Sequence, residues 1–322
     1  MDGKGNTITI ESGGFLNGGL FTELQGNAVI KNLNIIFEDY VDCGPIEDSY
    51  FNYFGGLAAK VTGSKNNCVT IENVNITIKT NEEHLFLDNT KRINVGGLIG
   101  AIVDTNVIIK NCTVQGSITY LNNYTTEWSA FGGLVGRTIP YTNSLQIVNC
   151  KNKANITVTH NVGGLLGWSC RTDGNYNKIG NKYLNIEQCA NYGNISSNDG
   201  YAGGIVGIVN GIYNTDVPAY GKIVNNINYG EINSTDGYAS GICGYVCYGE
   251  NTFNIYGNIN YGILVSNVKF SPIIGRIGEG SNPPITLYCI GFNYSTTDDS
   301  TSSGINYTLF DGTELSTKNV LS

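Results

Sequence analysis

From Val107 the chain alternates apolar and polar residues, Val107-Ile108-Ile109-Lys110-Asn111-Cys112-Thr113-Val114, then turns at a glycine and resumes at Ile118-Thr119. The same alternation returns over residues 145–158, 184–197, 223–234 and 253–265. A period of two, β-branched side chains and short runs predict half-buried strands. No stretch keeps a 3.6-residue period long enough to predict a useful amphipathic helix. Between these arms lies a second one, Gly-Gly-apolar-x-Gly, clear at Gly96–Gly100, Gly132–Gly136, Gly163–Gly167 and Gly203–Gly207. Weaker copies begin at Gly18, Gly55, Ser240 and Ser271, so the pattern recurs every 31 to 41 residues.

A period of this size means a unit that cannot bury its apolar face alone and stacks on its neighbours. Short strands with Gly and Asn corners predict an all-β fold, a parallel β-helix or solenoid. With two strand-rich arms per repeat of about 37 residues, each repeat is expected to make two coils. Eight repeats then give about sixteen coils, a rod roughly 75 Å long at ~4.8 Å per coil. The repeats fill residues 1–295 as one domain. Residues 296–322 read as a polar linker and the start of a C-terminal segment, a cap or a further unit, with a capped helix beginning near Leu315. Met1–Asn6 leads straight into a strand pattern, so both ends are expected to continue or to join another copy end to end, as a filament would.

Consecutive glycines suggest positive φ at a sharp corner and close stacking of coils. Asn111, Asn149 and Asn225 are expected to form one corner column, since asparagine tolerates the left-handed region. Asn191-Tyr192-Gly193, Asn228-Tyr229-Gly230 and Asn260-Tyr261-Gly262 predict a second. Asp199-Gly200 and Asp236-Gly237 read as turns. Thr77, Thr119, Thr157 and Ser196 read as a hydroxyl column. Cys112, Cys150 and Cys189 fall at equivalent places, where other repeats carry Val74 and Asn226. Two coils apart, roughly 10 Å, they are beyond disulfide reach and read as small buried hydrophobes.

The arms at Gly97–Gly100, Gly133–Gly136 and Gly164–Gly167, with Ile205 and Ile242 replacing leucine in later copies, resemble the GLUG-motif repeat family, named for Gly-Leu-hydrophobic-Gly. The opening Asp2–Ile8, followed by Gly19-Leu20-Phe21 and Ile30–Leu33, is similar to the way such regions begin. The resemblance implies a right-handed parallel β-helix. It also implies a large secreted or surface protein of a microbe, often adhesin-like, with the repeats serving as non-catalytic scaffold. The chain departs from the motif at Ser271-Pro272-Ile273-Ile274-Gly275.

Composition narrows the partners. With 43 Gly, 21 Tyr, 41% hydrophobic and only 14% charged residues, the chain is the reverse of a disordered one. A net charge of −8 and no basic stripe argue against nucleic acid. No apolar run approaches the ~18 residues of a membrane span. The two histidines, His84 and His160, stand far apart, and Cys243–Cys247 has no second pair, so no metal or cofactor is called for by a motif. Polysaccharide cleavage is the alternative function, because a β-helix can bring scattered carboxylates together.

Departures from the repeat point to a surface. Insertions at 38–53, 80–94 and 120–131 all precede the glycine arm, and insertions at one corner of a solenoid pool on one face. They carry Tyr40, Tyr50, Tyr124 and Trp128 as aromatic platforms and Asp42, Asp48 and Glu83 as polar groups. Such a mixture suits a glycan, a surface-protein receptor or a cation such as calcium. Insertions at 171–182 and 211–221 follow the arm and belong to another corner.

Overall fold

Ile30, Ile71, Ile109, Ile147, Ile186, Ile223 and Ile255 stand directly over one another in a single parallel ladder, all buried. The computed structural model describes residues 1–11, 15–38, 42–44, 51–79, 92–121, 129–139, 144–169, 183–210, 219–247, 251–277, 294–295, 305–310 and 315–320. Among these residues there is no helix, and each strand of the body pairs in parallel with its equivalent in the next repeat. The protein is a parallel β-solenoid.

The coil count differs from expectation. Neighbours in the isoleucine column are 32 to 41 residues apart, so one repeat makes one coil, not two. The ladder beyond the glycine turn is eight strands deep. That gives eight coils and a stack of roughly 38 Å, half the expected length. Each coil runs along a long wall, for example Asn106–Lys110 and Thr113–Tyr120. It then enters an ingoing limb such as Ala130–Gly132 and leaves by an outgoing limb such as Val135–Thr138.

The glycine arm folds these two limbs back to back, which is why it needs three glycines. A Cβ on the first, Gly132, would sit 2.0 Å from the Val135 carbonyl oxygen of its own outgoing limb. On the second, Gly133, it would sit 2.5 Å from Cγ of Asn152 on the long wall. On the third, Gly136, it would meet the Val95 backbone of the preceding coil at 2.7 Å. The turn therefore reaches across the coil and touches the opposite wall, with Leu98, Leu134, Leu165, Ile205 and Ile242 fully buried at its tip. None of the glycines in the four clear arms has positive φ; only in the first weak copy do Gly18 and Gly19. The expected left-handed corner is absent there, and the glycines are selected by close approach of backbone and wall side chains, not by conformation.

Left-handed residues stand instead on the long wall. Asn32, Asn73, Asn111, Asn149, Gln188 and Asn225 share one column with φ between 53° and 57°. Asparagine tolerates this region because its short amide bonds locally. Here Asn149 Nδ2 donates to Asn111 Oδ1 at 2.7 Å and Asn73 Nδ2 to Asn32 Oδ1 at 2.9 Å. The predicted corner column is present.

One residue further on, the cysteines are on adjacent coils, not alternate ones. The Cys112 amide donates to Cys150 Sγ at 3.4 Å, Cys150 to Cys189 Sγ at 3.3 Å, and Cys189 to Asn226 Oδ1 at 2.9 Å. The Asn226 amide continues to Asn258 Oδ1 at 3.0 Å. The three thiols are free and buried, as expected, although the spacing behind that expectation was wrong. Sulfur takes the acceptor place that an amide oxygen takes two coils later.

The second predicted column is a buried amide ladder. Asn152 Nδ2 donates to Asn191 Oδ1, Asn191 to Asn228, and Asn228 to Asn260, each at 2.8 Å. Each amide also donates to the carbonyl two residues on, Ala154, Gly193, Gly230 or Gly262. At the far end Leu315–Val320 is a strand, antiparallel to Ile305–Phe310, and not the expected helix.

Candidate functional site

Six of the seven predicted binding residues, Tyr40, Asp48, Tyr50, Glu83, Tyr124 and Trp128, lie outside the described residues. Asp42 belongs to a three-residue strand, Asp42–Gly44, paired in parallel with Phe15–Asn17. The corner itself is as expected. The long-wall strands ending at Phe37, Ile78 and Tyr120 and the ingoing strands starting at Phe51, Arg92 and Ala130 bracket the three insertions in successive coils. In the hydroxyl column Thr119, Thr157 and Ser196 do align, but Thr77 pairs with Gln115.

Cys112, Cys150, Cys189 and Cys243 are buried and withdrawn from solvent. Burial, the largest cause, pushes the Cys112 and Cys150 thiols well above an ordinary thiol. They stay protonated and unreactive at neutral pH. Asp199 and Asp236 are turn residues whose amides donate to the preceding coil. No group of three His, Cys, Asp or Glu converges among the described residues.

Two aromatic surfaces remain, and they differ in what they offer. Tyr192, Tyr229 and Tyr261 form an outward stack on the long wall, with ring centroids 4.9 and 5.4 Å apart and planes within 16°. Each ring is a little under half exposed. Stacking covers the ring faces, so this ladder presents edges and phenolic hydroxyls and not a flat platform.

The second surface is a seam where the two limbs part, at the residue just after the third glycine. There Lys60, Ala101, Arg137, Trp168, Ile208, Tyr245 and Arg276 share one outgoing column. Facing them on the ingoing limb stand Tyr53, Asn94, Ala130, Asn161, Tyr201, Tyr238 and Lys269. The two columns pack as small clusters separate from the main core, with Trp168, Ile208, Tyr245 and Ala130 in one and Tyr53 and Ala101 in another.

Cations sit on the aromatic rings of this seam. The Lys60 ammonium lies 5.5 Å from the Tyr53 centroid, and the Arg137 guanidinium 4.5 Å from Trp168. Arg276 lies 5.4 Å from the Tyr238 ring and 5.6 Å from Tyr245, and donates to the Tyr201 hydroxyl at 2.9 Å. These distances are in cation–π range. Arg137 is only 3% exposed, whereas Arg276 is open to solvent. The fully buried Asn94 has no hydrogen-bond partner on either side-chain atom among the described residues. Burial of an unmade amide bond is costly.

Sequence reading overlooked the seam because it attended to the positions that the arms share. A signal was present one residue beyond four of the arms: Gly136-Arg137, Gly167-Trp168, Gly244-Tyr245 and Gly275-Arg276 each place a bulky or cationic residue at the same step. Compared with known proteins, the chain matches no family model, no curated protein and no solved structure.

Proposed function

We propose that this chain is a non-enzymatic extracellular or cell-surface rod, an adhesin-like stalk that holds a glycan or a surface-protein receptor against its side. The observation that carries this reading is the destination of its polar side chains. The asparagines at equivalent positions bond to the same residue one coil away, as a continuous ladder from Asn152 to Asn260 and as pairs at Asn32–Asn73 and Asn111–Asn149. Such ladders rigidify a shaft and leave its outer columns and corner loops to vary. The resemblance to GLUG repeats supports the same reading and the surface location. End-to-end association also fits, because among the described residues Thr7–Ile10 pairs along one edge only.

The competing function is cleavage of a polysaccharide. Incubating the protein with acidic and neutral polysaccharides, then assaying reducing ends and unsaturated products, separates the two. The rod reading expects retention of polymer without new ends. Turnover that disappears on replacing a single carboxylate would overturn it. Replacing Tyr124 and Trp128 with alanine is expected to weaken retention while leaving the melting temperature nearly unchanged; unfolding would make those loops packing elements.

A further inference from the structure

We infer that the open end of the seam, formed by Tyr201, Tyr238, Tyr245, Lys269 and Arg276, is a binding site for a carboxylate-bearing sugar chain. It deepens the binding reading proposed above and rests on it, but uses a different face from the corner loops.

Arg276 is the centre of the site. Its guanidinium is fixed by the Tyr201 hydroxyl and by two tyrosine rings, so little side-chain entropy is left to lose on binding. Among the described residues it forms no ion pair with a carboxylate. Lys269, exposed and likewise without an ion pair among them, sits one rung beyond Tyr238 on the opposing limb of the same coil. Two cations on facing lips with no ion pair among the described residues are unexpected in a chain of net charge −8 with four arginines. Arg137 on Trp168 shows the same device closed over, 3% exposed. Of the two guanidiniums, only that of Arg276 reaches solvent.

The ligand class follows from the groups. Arginine pairs a planar carboxylate through two parallel N–H donors, and Tyr201 and Tyr238, their faces stacked with ring centroids 5.4 Å apart, offer ring edges and phenolic hydroxyls that suit the hydroxyls of a sugar. The seam runs along the stacking direction, so an extended polymer can lie in it. A uronic acid polymer meets all three conditions.

The test uses the whole chain and isothermal titration with an oligogalacturonate, the matching neutral galactose oligomer, and poly-glutamate. Binding is expected for the oligogalacturonate alone, weakening with salt. Arg276→Ala is expected to lower affinity roughly 10- to 100-fold. Arg276→Lys, which keeps charge but loses the paired donors, should still lose most of it. Melting curves confirm that the variants fold, and Lys153→Ala, which removes an exposed cation on the long wall away from the seam, is expected to bind normally. No binding of oligogalacturonate, equal binding by Arg276→Ala and Arg276→Lys to that of the unaltered chain, or preference for poly-glutamate would each overturn the proposal. Cleavage of the bound oligomer would instead overturn the non-enzymatic reading and leave the site standing.

Discussion

One inner column of the long wall is hydrocarbon in the early coils and amide in the later ones. Where the glycine turn meets the wall, it touches Ile76 in one coil and Val114 in the next, then Asn152, Asn191, Asn228 and Asn260. All six positions align and all are buried. The space is fixed by the glycine, so valine and asparagine, similar in size, are exchangeable in shape. They are not exchangeable in energy. Valine is self-sufficient, whereas a buried amide is stable only if the coils around it also carry amides. The column therefore changes chemistry once, between Val114 and Asn152, and does not alternate.

The largest expected effect strikes both halves alike. Gly133→Ala places a methyl 2.1 Å from the Gly164 carbonyl oxygen and 2.5 Å from Asn152 Cγ. Neither can move without shifting a coil, so a loss of about 4 kcal/mol or more is expected from urea unfolding. A loss under about 1 kcal/mol would mean that the turn does not reach the wall.

Substitutions that cross the boundary sharpen the comparison. Asn191→Leu strands the Asn152 amide and the Asn228 oxygen, and is expected to cost about 3 kcal/mol. Val114→Asn adds a rung next to Asn152 and is expected to cost about 1 kcal/mol or less. Equal losses from thermal melts would show that the ladder acts as ordinary packing.

The smallest effect is a pH dependence. In the folded state burial raises the Cys112 and Cys150 thiols, so the folded pKa lies above the unfolded one. Their contribution is complete below about pH 8.5 and declines as pH rises beyond it toward the folded value. Changing both to alanine should flatten stability between about pH 8 and 10. Iodoacetamide at about pH 8 should label Cys112, Cys150 and Cys189 only after denaturation.

The columns were legible because a solenoid repeats its side chains in place: Asn111 over Asn149, and Tyr192 by Tyr229, follow from alignment of the repeats. The size of the coil was not. Two strand-rich arms per repeat are compatible with one circuit or two, and alternation does not say whether an arm is an outer wall or folds inward. Like-on-like identity was the missed clue. Stacked amides, thiols and phenols gain from one another only at a single coil's spacing, and Cys112-Cys150-Cys189 makes no sense at twice that distance. The seam was hidden for a related reason: it is assembled from residues that differ between repeats.

One repeat per coil also sets how the protein would respond to force. Backbone hydrogen bonds of a parallel ladder lie along the stacking direction, so a pull on the two ends loads every bond between adjacent coils at once. The amide and thiol ladders share that load. Advance along the axis is only ~4.8 Å for about 37 residues, so the chain spends its sequence on girth instead of reach. A solenoid of this kind, pulled end to end, yields by parting between two coils as a unit.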